Sequence, residues 1–415
     1  MTQSSDQRRD SGLGGIGRQA EECTPDIAWL GIGSSSIVAT EEGVVVVDTP
    51  MGNRAGQRVV EAIRERTQAP IHTVIFTHGH MDHVWGVAPL MSNAQERGHP
   101  KPRIIAHELV PERFDRYQRL WGQQQFINRI QFAIPEGEQV LPPQFFYPDI
   151  TYSDTIQFRL GGLTFELYHY MGETDDGTWV WIPERKVALI GDLLIGGCPN
   201  VGNPFKVQRY TLEWAEALER IAGKNPDCVI PAHGPVLRGE EARDVCLDTA
   251  KYLRHIEDEV VRLLNEGCWI EDILERVKIP PELLSKPWLD PRYGHPAFII
   301  HGVHRRYAGW YNGNASELFP ARSSEIAAEV VNIGGIEQLL QHSKKLQKEG
   351  DIQLALHLVD FVVRGANDKS KRREALLLKA ELLDARADAE PSFIARNIFR
   401  NGAELARKEA GSLQA

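Results

Sequence analysis

Short apolar runs and apolar stripes of helical period divide the chain into two unlike stretches. In the first, from Ile27 to about Pro235, runs of strand length alternate with amphipathic segments. Ser36–Ala39 and Val44–Val47 read as strands around a turn at Glu42-Gly43. Residues 55–66 carry Val59, Val60 and Ile63 on one helical stripe. Residues 71–77 and 104–106 read as further strands. Residues 178–182 and 187–190 flank Pro183-Glu184-Arg185-Lys186 as a hairpin. A helix over 209–222 and a short buried strand at Cys228–Ile230 complete this stretch. Strands mixed with helices in this way predict a layered α/β domain.

Beyond about Gly239 the strand pattern stops. Residues 240–265, 270–277, 324–331, 336–348, 352–363, 371–387 and 394–410 all favour helix, with Gly335, Gly350 and Gly365 at element ends. The last four helices fall into pairs whose length resembles tetratricopeptide-type hairpins, although the tryptophan and glycine signature of that repeat is missing. The expected organisation is a flexible segment over 1–26, an α/β domain over 27–239 and an all-α helical-hairpin domain over 240–415.

Length supports this division, since 415 residues exceed one typical core. The net charge of −10 argues against nucleic acid or an anionic membrane surface as the main partner, and leaves a small-molecule substrate open. No apolar run reaches the roughly 18 residues of a membrane span. Residues 1–22 are polar and glycine-rich, without the apolar core of a secretory signal. The five cysteines are scattered and include no CxxC pair, so free thiols and a cytoplasmic location are expected.

Chemistry concentrates directly after the strand at 71–77. Thr77-His78-Gly79-His80-Met81-Asp82-His83 places four ligand-type side chains in six residues. Three histidines in one turn repel when charged and gain no packing when neutral, so a surface loop is a poor account of them. On an extended turn the i, i+2 spacing aims His78 and His80 one way. Asp82 and His83 then aim at a second position, the layout of a two-metal site. Imidazole nitrogen and carboxylate oxygen suit Zn²⁺, with Mn²⁺ or Fe²⁺ as alternatives. Further ligands must come from elsewhere, and Glu173, Asp192 and His233 stand after strands. Alone, Asp192 reads equally as a helix cap and His233 as a loop histidine. In this order after the cluster they form a set. His169, four residues before Glu173, competes with it.

With these motifs, residues 27–239 resemble the metallo-β-lactamase superfamily. The HxHxDH motif is matched by His78 to His83, the strand-end acid by Asp48, the Gly-Asp element by Asp192 and the late His-Gly by His233-Gly234. Where that superfamily usually has a histidine, this chain has Glu173, as alkyl sulfatases do. The spacing of nineteen from Glu173 to Asp192 is also theirs. Tyr307-Ala-Gly-Trp-Tyr-Asn-Gly-Asn-Ala-Ser316 resembles an alkyl sulfatase segment, and residues 240–415 resemble the dimerisation domain of that family. The chain departs in having Asp192 where alkyl sulfatases have glutamate. It also lacks a clear counterpart of their sulfate-holding arginine stretch. Lys206 and Arg209 stand near that position, where solvated charges at a helix start are the plainer reading.

The resemblance implies a four-layer αββα metallo-β-lactamase fold and two divalent ions. The first would be held by His78, His80 and Glu173, the second by Asp82, His83 and His233, with Asp192 shared. It implies a metal-bridged hydroxide acting on an ester-type bond, with Asp82 and Asp192 in the reaction and His301 or Tyr307 as leaving-group acid. An alkyl sulfate monoester is the first substrate class. An activated aryl ether, carboxylic ester, lactone or thioester is the alternative, and a non-enzymatic oligomeric scaffold the third reading. Self-association through the helical domain, or pairing with a homologous subunit, is expected.

Overall fold

The computed structural model describes residues 20–413, so most of the expected flexible segment lies outside the described residues. Its last part is ordered: Glu21–Thr24 forms β1. β1, β2 (Ile27–Trp29), β3 (Ser36–Ala39), β4 (Val44–Val47), β5 (Ile71–Ile75), β6 (Arg103–His107) and β7 (Ile150–Tyr152) make one sheet in sequential order. The first three pairings are antiparallel and the last three parallel. β8 (Thr155–Leu160), β9 (Leu163–Tyr170), β10 (Gly177–Ile182), β11 (Val187–Leu189), β12 (Cys228–Ile230) and β13 (Leu237–Arg238) make the second sheet, with only β11 and β12 parallel.

Strand periodicity distributes the apolar residues among three cores. In β4, Val45 and Val47 face the space between the sheets, together with Ile75, Phe165, Val180 and Ile230. Val44 and Val46 point the other way, onto the helices Asn53–Arg66, Val87–Glu96 and Leu109–Arg119. In β10, Val180 and Ile182 turn to the inter-sheet core. Trp179 and Trp181 pack outward against Thr211–Gly223 and Gly239–Asn265. The result is the four-layer αββα arrangement. Runs such as Val44–Val47 are continuously apolar because both faces of the strand are covered.

Packing divides the chain after Ala308 rather than near 239, with residues 127–136 joining 309–415 in the second unit. The reason lies in the helix Gly239–Asn265. Its buried residues Val245, Leu253, Ile256 and Val260 share one core with Trp179 and Trp214. In the second unit the helices Ile336–Glu349, Ile352–Gly365, Lys369–Ala389 and Phe393–Ser412 enclose their own core around Leu340, Val359, Leu376 and Leu382. The helix Ser323–Gly334 packs on Ile352–Gly365 so closely that a Cβ at Gly365 would lie 2.4 Å from the Ala327 carbonyl. Asn397 donates a hydrogen bond to the Gln131 carbonyl at 2.8 Å, which ties the 127–136 segment into this unit.

Contrary to the expectation of free thiols throughout, Cys23 and Cys228 are paired, joining β1 to β12. That removes the cysteine-based ground for a cytoplasmic location. No helix among the described residues is long and apolar enough to cross a membrane.

Candidate metal centre

Five strand ends converge in the first unit. His78, His80, Asp82 and His83 follow β5, Asp48 follows β4, Glu173 follows β9, Asp192 follows β11 and His233 follows β12. Gly191 makes one of these approaches feasible. Its φ is +53°, and a Cβ there would lie 2.7 Å from the Thr77 hydroxyl.

Seven side chains sort into two groups, His78, His80, Glu173 and Asp192 in one, and Asp82, His83 and His233 in the other. Within each group the candidate ligand atoms lie within 4.8 Å of one another. The Asp192 carboxylate faces both. Its Oδ2 lies 3.8 Å from His78 Nε2, and its Oδ1 lies 3.4 Å from His83 Nε2 and 3.6 Å from His233 Nε2. Asp82 Oδ2 stands 3.1 Å from His233 Nε2 and 3.6 Å from His83 Nε2.

The donor set fits two divalent ions. His83 Nε2, Glu173 Oε2 and Asp192 Oδ1 are buried without a hydrogen-bond partner, although a buried polar atom normally has one. They point inward at the place where a cation would supply what is missing. Meanwhile the opposite nitrogen of His83 is fixed. Asp48 Oδ2 accepts from Nδ1 at 2.7 Å, and the same carboxylate accepts from the Thr77 amide and hydroxyl, each at 2.7 Å. A carboxylate behind an imidazole sets its tautomer and presents Nε2 as the donor face. His78 Nε2 and His80 Nδ1 approach to 2.8 Å.

Charge at the centre is correspondingly displaced. Burial lowers His83, but Asp192, Asp48 and Asp82 outweigh it and lift the imidazole well above its usual value. Burial also opposes protonation of His233, yet Asp192 and Asp82 raise it to about 9. Burial, then the neighbouring His83, pushes His78 down to about 3. Burial would raise Asp192, and the facing His83 and His233 hold it well below the carboxylate range. Burial raises Glu173 to about 7, against the opposing charge of Arg209.

The positions named from sequence fare differently. The structure brings together all seven candidate ligands, and it leaves His169 outside. His169 Nε2 bonds the Asp175 carbonyl at 2.9 Å, and its ring stacks on His107 with centroids 3.7 Å apart. His301 is exposed on the helix Pro296–Tyr307 and joins neither group. The Tyr307 hydroxyl donates to Glu257 at 2.5 Å. Arg209, read as a solvated charge, is instead buried and ion-paired with Glu173.

Apart from Lys206, the other neighbours of the centre had no sequence signal of their own. Asp176 accepts from the Gly79 amide at 3.1 Å and from Arg113 Nε at 2.6 Å, which pins the loop carrying His78 and His80. A cavity of about 80 Å³ is lined by His80 and Glu173 together with Tyr117, Phe205, Lys206 and Arg209. Burial, then Arg209, lowers the Lys206 ammonium to about 7. Tyr293 lies within the field of Glu173, Arg209, Asp82 and Asp192, and burial first, then Glu173, keeps its phenol protonated.

Comparison with known proteins places this geometry. Residues 28–233 match the model of the metallo-beta-lactamase superfamily, and residues 269–409 match the model of alkyl sulfatase dimerisation. A linear primary-alkylsulfatase of a Pseudomonas strain is 25% identical over 361 residues, which cover 81% of this chain and 68% of that protein. The alpha subunit of a 2,4-dinitroanisole O-demethylase from Nocardioides is 22% identical over 290 residues, covering 68% of this chain and 76% of that one. The solved structure of a stereoselective inverting sec-alkylsulfatase from Pseudomonas superposes with a TM-score of 0.81 at 21% identity. The match covers 94% of this chain and 65% of the other, and this chain spans between 59% and 68% of the length of the alkylsulfatases it matches.

Proposed function

The chain belongs to the metallo-beta-lactamase superfamily, and from that premise we propose that it is a metal-dependent hydrolase with a binuclear centre acting on organic sulfate monoesters. The observation that carries this reading is the Asp192 carboxylate, with one oxygen toward each group of donors. His78, His80 and Glu173 would hold one ion, Asp82, His83 and His233 the other, and Asp192 would serve both. Zn²⁺ suits this nitrogen and oxygen set, with Mn²⁺ and Fe²⁺ as alternatives. Bound divalent ions supply Lewis acidity and make water nucleophilic near neutral pH.

The chain's own residues supply the rest. Asp48 and Thr77 fix the ring of His83. Asp176 and Arg113 fix the loop between His78 and His80. Lys206, lowered to about 7 by burial and Arg209, lines the cavity together with His80 and Glu173, and an anionic ester group there would favour its charged form. Tyr117, Phe205 and Val207 give the same cavity apolar lining for the organic part of the substrate. Asp82 and Asp192 carry the negative charge that balances the ions.

A second reading has one observation in its favour. The Nocardioides relative is named for O-demethylation of an activated aryl ether, and cleavage of such an ether would use the same site. A two-fold dimer through the helical unit completes the proposal. Its support is the match to the alkyl sulfatase dimerisation model and the exposure of Trp310, Phe319, Ile333 and Leu354 within residues 309–415. The test is turnover of metal-loaded protein on a medium-chain alkyl sulfate, an aryl sulfate and 2,4-dinitroanisole. Sulfate release supports the first reading, methanol release from the ether selects the second, and inertness toward all three contradicts both.

A further inference from the structure

Resting on the metal reading above, we infer that Arg209 and Asn200 act as a clamp that assigns the two oxygens of Glu173 to different tasks. One oxygen is held by the protein. The other is kept for the first ion. Arg209 is the positioning residue of this device, and its charge is spent on the centre rather than on a substrate anion.

The two carboxylate oxygens have unlike surroundings. Glu173 Oε1 accepts from Arg209 Nη1 in a buried ion pair and from Asn200 Nδ2 at 3.3 Å. Glu173 Oε2 is buried without a hydrogen-bond partner, in the group that also contains His78, His80 and Asp192. Glu173 and Arg209 are 4% and 3% exposed and Asn200 is fully buried, so water does not compete for the clamp.

The clamp is itself braced. Arg209 Nη1 also donates to the Asn200 carbonyl at 2.6 Å, closing the loop over 200–209 on itself. Asn203 Nδ2 donates to Asn200 Oδ1 at 3.4 Å, which leaves the Asn200 amide nitrogen turned toward Glu173. The Gly172 carbonyl accepts from the Tyr210 amide at 3.0 Å, fixing the backbone on either side of the pair. A free glutamate would choose among several rotamers and between one-oxygen and two-oxygen binding. Here the donors Arg209 Nη1 and Asn200 Nδ2, both on Oε1, remove that choice before an ion arrives.

The chemistry explains why an arginine stands here. A histidine ligand is turned by an acceptor behind its second nitrogen, as Asp48 turns His83. A carboxylate ligand requires a donor behind its second oxygen, and a cation also makes it easier to keep the group ionised in a buried position. The pairing of Glu173 with Arg209 is therefore the counterpart, with charges reversed, of the pairing of His83 with Asp48.

Affinity for the first ion, measured apart from turnover, tests the clamp. In an Asp82→Ala/His233→Ala background only the first group retains its full donor set. Zn²⁺ affinity is then read by competition with a chromophoric chelator. Arg209→Met in that background is expected to weaken binding by about 10- to 100-fold, the usual range for a partner behind a metal ligand. Arg209→Lys, which keeps the charge and is the milder change, is expected to recover part of the loss, leaving roughly a 3- to 10-fold deficit. In the complementary His78→Ala/His80→Ala background, Arg209→Met is expected to leave Zn²⁺ affinity of the second group within about twofold, a separation that general destabilisation would not produce. Unchanged first-group affinity in Arg209→Lys and Arg209→Met overturns the clamp while leaving the metal reading intact. Equal loss in both backgrounds overturns it as well. Wild-type protein that takes up no divalent ion at all overturns the metal reading and the clamp together.

Discussion

The strand-end centre and the helical unit break the ordinary rule of protein interiors in opposite senses. At the centre, four histidines and three carboxylates sit together with buried atoms that lack hydrogen bonds. In the helical unit, large apolar side chains such as Phe319 at 89% and Ile333 at 85% exposure stand in the open. Buried charge and exposed apolar surface are each costly, and each is informative for that reason. On the proposed reading a cation relieves the first and another copy of the chain covers the second, and each half of that reading can be broken alone.

The largest effect is expected from removing donors at the centre. His80→Ala combined with Asp82→Ala should reduce turnover by at least about 10³-fold, since each ion loses a ligand. Far-ultraviolet circular dichroism should stay native, because Asp82 and His80 carry no core packing. Next comes the helical unit. Phe319→Asp with Ile333→Asp should shift the proposed dimer toward monomer by about 30-fold or more in dissociation constant, as for central apolar contacts of an interface. Light scattering during dilution checks this, and the metal content of the variant should be unaltered.

A smaller effect is expected one step behind the ligands. Asp48→Asn should cost about 10- to 100-fold in affinity at the second group, because His83 loses the acceptor that turns Nε2 inward. Chelator competition in a His78→Ala/His80→Ala background isolates that group. The smallest is a pH effect on stability. Burial would raise Asp176, but Arg113 holds its carboxyl at about 2, below the ordinary 3.8. A carboxylate with a lowered folded-state value stabilises the fold fully above about pH 4 and ceases to do so as pH falls through about 2. The contribution is on the order of 2 kcal/mol. Denaturant midpoints should accordingly fall faster between pH 4 and pH 2 in the wild type than in Asp176→Asn.

Much of the centre was legible because metal donors cannot hide. Four lie within six residues, and Glu173 and Asp192 keep a fixed spacing across the hairpin of β10 and β11. The neighbours that position those donors were not legible. Arg209 and Arg113 look like any surface cation until the fold buries them against Glu173 and Asp176. The pairing of Cys23 with Cys228 spans 205 residues, a distance over which local pattern carries no information. The strands at 36–39, 44–47, 71–75 and 228–230 and the hairpin around residues 183–186 match the sequence pattern, whereas β7, β8 and β9 between 150 and 170 had no expected counterpart. The division after Ala308 was not, because the apolar stripe of Gly239–Asn265 is the same whether it packs on a sheet or on other helices. The helix Leu109–Arg119 escaped notice although Val110, Phe114 and Tyr117 follow a helical period, since charged residues crowd the positions between them.

The account stands on two ions sharing Asp192, and an anomalous-scattering crystal structure of Zn²⁺-loaded protein, with metal content measured on the same preparation, tests that claim most directly. The account predicts close to two zinc ions per chain and two anomalous peaks, one beside His78, His80 and Glu173 and one beside Asp82, His83 and His233, with Asp192 between them. A fully active preparation with no bound metal, or peaks that lie away from Asp192, would contradict it.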